Sequence, residues 1–143
     1  MGGASPSYLN IFHQQVPNMA MINRNGEEVG INLQWRKPAA YLVNGYSTSG
    51  KELLAYGAKK YNLAYVTGSR TAGSVLGGQL IALSNNDLLY LAVMDIKVDG
   101  ERLEGVGVLP DHEIQMSIPY LQGNDIQLEG TVDFLLEKLD PTR

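Results

Sequence analysis

The amino-acid sequence predicts an α/β domain with a mixed sheet of short strands, in which one helix follows a central strand and a second helix precedes Pro141. Residues 39–43 form an apolar run typical of a buried strand, and a helical pattern begins at Lys51 after a turn. Residues 63–66 predict a further strand. Between residues 125 and 139, apolar side chains recur at helical spacing, which predicts the last amphipathic helix.

The segment before the central strand predicts a helix and a hairpin. A helix capped by Ser5 or Ser7 runs to Gln15, because Pro17 cannot continue it. Residues 19–35 then predict two strands that turn near Gly26. With no obvious linker, the chain is treated as one domain of three parts, which are an N-terminal helix (1–16), a hairpin (17–37) and a core (38–143).

A second hairpin is predicted inside the core. Residues 79–83 and 88–98 are rich in apolar side chains, and the turn between them falls at residues 85–87. The glycine-rich segment 73–78 before this hairpin lacks the lysine and the glycine spacing of nucleotide-binding loops. We therefore expect a mobile loop there and no phosphate site.

The composition excludes several classes of partner. A net charge of −4 is spread along 143 residues without a basic patch, so no nucleic-acid partner is expected. The absence of cysteine rules out disulfides and thiolate metal sites. No apolar run reaches about 18 residues, so we expect no membrane-spanning segment, and no signal peptide is apparent at the start.

Three hydroxyl side chains, Ser47, Thr48 and Ser49, lie in the tight turn between the central strand and its helix. A serine in such a turn is pushed out of the fold and lies at the electropositive end of the helix. Main-chain N–H groups there can stabilise the negative oxygen that forms when a serine attacks a carbonyl. The same residue types are ordinary helix caps, so the turn alone leaves a nucleophile and a capping group as alternatives.

Three further motifs follow this turn in order. They are Gly-Ser-Arg-Thr-Ala-Gly (68–73), Gly-Val-Gly-Val-Leu-Pro-Asp (105–111) and Gly-Asn-Asp-Ile-Gln-Leu (123–128). With the turn, this series resembles the C-terminal processing (tail-specific) serine peptidases, the family that includes the tricorn core protease. The resemblance covers about residues 39–139 and corresponds to the C-terminal part of the catalytic core. It implies a fold of the Clp-protease and crotonase-like group.

The resemblance implies a serine peptidase that cleaves peptide or protein substrates by acyl transfer, with no metal or organic cofactor. The family's nucleophile falls on Ser49, and the N–H of Gly50 becomes one oxyanion donor. The other donor lies in an upstream Gly-Gly turn, for which Gly3 is the candidate, although this pair is equally consistent with cloning residues. In the tricorn-like branch a glutamate supports a histidine base. That glutamate matches Glu104, for which a solvated loop carboxylate is the alternative.

The general base of such a peptidase is not evident in the sequence. Members that use a lysine base place it where this chain has Ser74, and a hydroxyl is no base near neutral pH. Lys51 is expected to point away from Ser49 on the helix. His13 and His112 are interpreted as ordinary surface or boundary residues. We therefore expect the base to come from outside this chain, and the isolated chain to show little turnover.

Two non-catalytic alternatives remain open. The first is a ligand- or peptide-binding module of the same fold, since some members of this fold that lack the lysine bind ligands. The second is a self-associating scaffold. An isolated half-core should expose apolar surface and sheet edges, so we expect a homo-oligomer, at least a dimer. The resemblance further implies a periplasmic, cell-envelope or secreted location.

Overall fold

The computed structural model describes residues 6–12, 19–31, 35, 37–117 and 122–140. It contains both helices and strands, as expected for an α/β domain. In chain order the elements are a 3₁₀ helix at Pro6–Phe12, β1 (Met19–Ile22), β2 (Glu28–Ile31), β3 (Ala40–Val43), α1 (Gly50–Lys60), β4 (Tyr65–Gly68), β5 (Gly77–Ala82), β6 (Leu88–Met94), β7 (Lys97–Val98), β8 (Glu101–Arg102), β9 (His112–Glu113) and α2 (Ile126–Leu139).

A parallel sheet of three strands forms the centre of the fold. Strand β4 lies in the middle, with β3 and β9 as its parallel neighbours. Among the described residues, the antiparallel strands form three separate two-stranded sheets, β1–β2, β5–β6 and β7–β8, rather than joining the parallel strands in one mixed sheet. A parallel sheet is normally covered by helices on both faces, and the two α-helices supply that cover here.

The two helices lie on opposite faces of the parallel sheet. Val66 of β4 is fully buried in one apolar cluster with Ala55 of α1. The next residue, Thr67, points to the other face because side chains alternate along a strand. There its hydroxyl forms a 2.8 Å hydrogen bond with the hydroxyl of Thr131 on α2. The core on the α1 side contains Val43, Ala55, Val66, Val75, Leu103 and Val108.

The first helical segment is a 3₁₀ helix of seven residues, where the sequence predicted a helix running to Gln15. Residues 13–18 lie outside the described part of the chain. Aromatic and β-branched side chains such as Tyr8 and Ile11 lower the propensity for an α-helix, and short 3₁₀ pieces are common in such positions. Leu9 anchors the segment on α1, where a Cβ at Gly57 would lie 2.5 Å from its Cδ1 atom.

The β5–β6 hairpin carries apolar side chains on both faces. Across it Leu80 faces Tyr90, and Ile81 faces Leu89 on the opposite side. These side chains are exposed on both strands, together with Leu88, Leu91, Val93 and Met94. Strand β6 ends at Met94, short of the predicted residue 98, because Lys97–Val98 pairs instead with Glu101–Arg102.

The carboxyl ends of β3 and β4 meet at one edge of the parallel sheet. Val43 and Gly68, the last residues of these strands, are paired in register. The loops 44–49 and 69–76 therefore leave the sheet side by side, and α1 begins at the same edge. In open α/β sheets this edge is where ligands bind, so the fold brings two of the motif loops to a suitable position.

Candidate active site around Ser49

Ser49 adopts a strained backbone conformation at the start of α1. Its φ is 59° and its ψ is −132°, whereas an ordinary N-cap residue lies in the extended region. A non-glycine residue held in this region costs roughly 1–3 kcal/mol, and such strain clusters at functional sites. The Ser49 side chain is exposed. The turn therefore leaves the Ser49 side chain exposed to solvent at the N-terminus of α1.

Hydrogen bonds from the neighbouring loop hold this turn. The Ser49 N–H donates to the carbonyl oxygen of Ser74 at 2.7 Å and to Glu52 Oε2 at 3.1 Å. The Ala72 N–H donates to the carbonyl oxygen of Ser47 at 3.1 Å. Ser47 also closes the turn, because its Oγ accepts from the Asn44 N–H at 3.1 Å. The strained residue is thus fixed on both sides by the loop that follows β4.

Glu52 is a fully buried carboxylate beneath the turn. Its Oε1 accepts from the Thr71 hydroxyl at 2.6 Å and from the Gly73 N–H at 2.7 Å. Its Oε2 accepts from the Ser74 N–H at 2.9 Å and from the Ser49 N–H. Hydrogen bonds of this kind offset the loss of hydration that a buried carboxylate suffers.

Thr71 joins the loop after β4 to the Gly-Val-Gly-Val loop. It is almost fully buried, donates its hydroxyl to Glu52 and accepts the Val108 N–H on the same oxygen at 2.7 Å. Gly107 lies against it with a φ of +70°, and a Cβ there would come within 2.6 Å of the Thr71 carbonyl oxygen. Only glycine allows both this conformation and this approach.

Glu104 binds the main chain just beyond Ser74. Its Oε2 accepts from the Val75 N–H at 2.7 Å and from the Leu76 N–H at 3.2 Å. The predicted alternative of a merely solvated carboxylate is therefore wrong for this oxygen. Among the described residues, no donor binds Oε1, so that atom is available to a further group.

Gly50 and Gly3 were the candidate oxyanion donors. Gly50 is the first residue of α1, so its N–H has no acceptor within the helix and lies at the positive end of the helix dipole. It directly follows Ser49, as the arrangement requires. Gly3 lies outside the described residues.

Among the described residues, no hydrogen bond joins a histidine or lysine side chain to Ser49. The His112 ring stacks on Phe134 of α2, with ring centroids 4.7 Å apart. His13 falls in the range 13–18, which the structure does not describe. At the far end of α1, Lys59 pairs with Asp111 at 2.9 Å. Nearby, a hydrogen bond from the Tyr61 hydroxyl lowers the pKa of Asp99 below its ordinary value.

Two residues of the site escaped the sequence analysis as functional groups. The sequence patterns did not single out Glu52, and they included Thr71 only as part of a motif. A glutamate three positions after a serine cap does signal a capping box. Its burial and its bonds to residues about twenty positions away could not be inferred from that spacing.

Comparison with known proteins decides the family. Peptidase family S41 matches residues 2–114 of the chain. This chain belongs to peptidase family S41. The match includes the Ser49 turn, the loop after β4 and Glu104. It confirms the resemblance to C-terminal processing and tricorn-like peptidases that the ordered motifs indicated.

Three relatives illustrate the extent of the similarity. A protein of Sulfurisphaera tokodaii described as a tricorn-like protease C-terminal subunit is 28% identical over 126 residues, which are 84% of this chain and 15% of that protein. A carboxy-terminal-processing protease of Bartonella bacilliformis is 28% identical over 94 residues, 64% of this chain and 22% of that protein. The crystal structure of the tricorn protease superposes with a TM-score of 0.70 at 26% identity, over 87% of this chain and 13% of that one.

The chain therefore spans less than a quarter of the length of either curated relative. No helix in the described ranges has the length and apolar character needed to cross a membrane. Nor do those ranges contain a cluster of three or more histidine, aspartate or glutamate side chains arranged to hold a metal ion.

Proposed function

We propose that this chain carries the nucleophile of a serine peptidase site that cleaves peptide or protein substrates by acyl transfer. The observation that carries the proposal is the strained, solvent-facing Ser49 at the N-terminus of α1. Membership of peptidase family S41 supports the same reaction.

In this proposal the Ser49 Oγ attacks the scissile carbonyl carbon as its proton passes to a general base. The carbonyl oxygen becomes an oxyanion, which the Gly50 N–H and the helix dipole stabilise. The intermediate then expels the amine, which takes the proton from the base, and leaves an acyl group on Ser49. Water attacks this ester in the same manner and regenerates the hydroxyl.

We propose that the base is a histidine contributed from outside this chain, and that Gly3 supplies the second oxyanion donor. Glu104 suits the supporting role, because its Oε2 is fixed by two amides while Oε1 can accept an imidazole N–H. The resemblance to C-terminal processing peptidases also makes a periplasmic, cell-envelope or secreted location our proposal.

A second candidate is a binding module that does not hydrolyse its ligand. It is favoured by Ser74, which replaces the lysine base of one branch, and by the stacking of the His112 ring on Phe134 of α2. The two candidates differ in one property. Only a peptidase requires the Ser49 hydroxyl to be an activated nucleophile.

Reaction with a serine-directed fluorophosphonate separates the two candidates. The probe is added to the folded full polypeptide that carries this chain, to Ser49→Ala and to Ser74→Ala. Ser74 is a matched control, because its main chain rather than its hydroxyl holds the site together. A peptidase predicts labelling that disappears in Ser49→Ala and persists in Ser74→Ala. Absence of labelling in the folded wild-type protein favours the binding module.

A further inference from the structure

We infer that Glu52 is the positioning residue that fixes the nucleophile turn to the loop after β4. This inference rests on the proposed function, because it concerns how Ser49 is held for reaction. Glu52 is fully buried, and no ion pair in the described ranges includes it. A buried carboxylate without a cation is expensive to maintain unless several donors are directed at it.

Each of the two Glu52 carboxylate oxygens accepts two hydrogen bonds. Oε2 receives the N–H of Ser49 itself together with the N–H of Ser74. Oε1 receives the N–H of Gly73 and the hydroxyl of Thr71. A single side chain therefore connects the backbone of the nucleophile to positions 71, 73 and 74 of the neighbouring loop and, through Thr71, to Val108.

The bonding pattern requires both side-chain oxygens of Glu52 to be hydrogen-bond acceptors. Three of the four donors are main-chain N–H groups, which cannot reverse direction. Thr71 has its oxygen occupied by the Val108 N–H, so its proton is directed at Glu52. In Glu52→Gln the side-chain NH₂ would face at least one main-chain N–H on either side, leaving buried donors without acceptors.

An ordinary capping box does not account for this arrangement. There the glutamate accepts one hydrogen bond, from the N-cap amide, and merely stabilises the helix start. Here three additional bonds reach residues 71, 73 and 74. The carboxylate also binds the Ser49 N–H, whereas the following N–H, that of Gly50, has no acceptor within the helix.

The test compares Glu52→Gln with Thr131→Val. The control, Thr131→Val, removes a different buried hydrogen bond, the one to Thr67 on the α2 side of the sheet. It therefore destabilises the core without changing the contacts around Ser49. Fluorophosphonate labelling is measured at a temperature where both variants are folded, and is resolved into a saturation constant and a maximal rate. Amide hydrogen exchange at Ser49, Gly73 and Ser74 is followed on the same samples.

We expect Glu52→Gln to lower the maximal labelling rate roughly tenfold to a hundredfold with an unchanged saturation constant. The three amides should lose protection, whereas Thr131→Val should match the wild type in both measurements. Equal labelling and equal protection in Glu52→Gln would overturn the inference. If the wild type itself does not label, the proposed function fails, and the exchange of the three amides still decides whether Glu52 fixes the turn. A variant that does not fold is replaced by Glu52→Asp, which keeps the charge but is too short to reach both sets of donors, and the same losses are expected.

Discussion

Ser49 and Glu104 bind opposite sides of a single peptide unit. The Ser49 N–H donates to the Ser74 carbonyl at 2.7 Å, and the N–H of the same peptide, on Val75, donates to Glu104 Oε2 at 2.7 Å. Because the C=O and N–H of a trans peptide point in opposite directions, this rigid plane holds the Ser49 main chain on one side and the Glu104 carboxylate on the other. The proposed nucleophile and the proposed supporting acid are therefore coupled without touching.

Substitutions at Glu104 can distinguish the effect of its charge from the effect of its two hydrogen bonds to main-chain amides. Glu104→Gln keeps an oxygen for the Val75 N–H, so its thermal stability should stay close to that of the wild type. Its labelling by fluorophosphonate should fall roughly a hundredfold if the carboxylate supports a base. Glu104→Ala should lose labelling and also roughly 1–3 kcal/mol of unfolding free energy, since two amides lose their acceptor. Wild-type labelling in Glu104→Gln would show that the charge has no catalytic use.

Strain at Ser49 predicts an unusual ranking of two variants that both lack the hydroxyl. Glycine adopts a φ of 59° readily, whereas alanine retains the strain. Glycine also destabilises the folded state, because it has more conformational entropy in the unfolded chain. With both effects included, the unfolding free energy of Ser49→Gly should be higher than that of Ser49→Ala by roughly 1 kcal/mol. Urea titration of the two proteins measures this difference. An alanine variant as stable as the glycine variant would mean that the turn relaxes to ordinary geometry.

The contact between the loops predicts different effects at two neighbouring glycines. Both have a positive φ, but a Cβ at Gly107 would lie 2.6 Å from the Thr71 carbonyl oxygen, while a Cβ at Gly105 would meet nothing within 4 Å. Gly105→Ala should therefore cost about 1 kcal/mol from backbone strain. Gly107→Ala should cost roughly 1–3 kcal/mol more, because the loops must separate. Equal losses in urea unfolding would contradict the close approach of Gly107 and Thr71.

The central elements were predictable because their signals are local. The apolar run 39–43 and the helical pattern from Lys51 correspond to β3 and α1, and the helical spacing up to residue 139 corresponds to α2. The turn between β3 and α1 follows directly from these two boundaries. The turn contains Ser47, Thr48 and Ser49, and only the resemblance to C-terminal processing peptidases singled out Ser49 among them.

The supporting contacts could not be predicted, because they join residues far apart in the sequence. Glu104 binds amides 28 and 29 positions away, and Glu52 binds donors 19 to 22 positions away. The strand predicted at residues 88–98 is likewise two strands, β6 and β7. Strand β7 pairs with β8 through Lys97 and Arg102, and Arg102 also forms an ion pair with Asp95. The N-terminal helix is a 3₁₀ segment anchored by Leu9 on Gly57, a tertiary contact that no local pattern contains.

We predict that the exposed β5–β6 hairpin is the surface through which the chain forms an oligomer. Both faces of β5–β6 are apolar, and a two-stranded ribbon is marginal by itself in water. The chain should therefore sediment as a dimer or larger at micromolar concentration. Replacing Ile81 and Leu89, which share one face, with lysine should shift it toward the monomer. Lysine at Val132, an exposed position on α2, is the control and should leave the mass unchanged. A monomeric wild type in ultracentrifugation would refute this prediction.

The most direct test of the nucleophile assignment is the position of the covalent adduct. The full polypeptide that carries this chain is treated with a fluorophosphonate, digested, and analysed by tandem mass spectrometry that resolves Ser47, Ser49 and Ser74. We predict that the phosphonyl group is found on Ser49, because only its hydroxyl combines the strained turn with the free N-terminus of α1. An adduct on Ser47 or Ser74, or an unmodified folded protein at probe excess, would contradict the assignment.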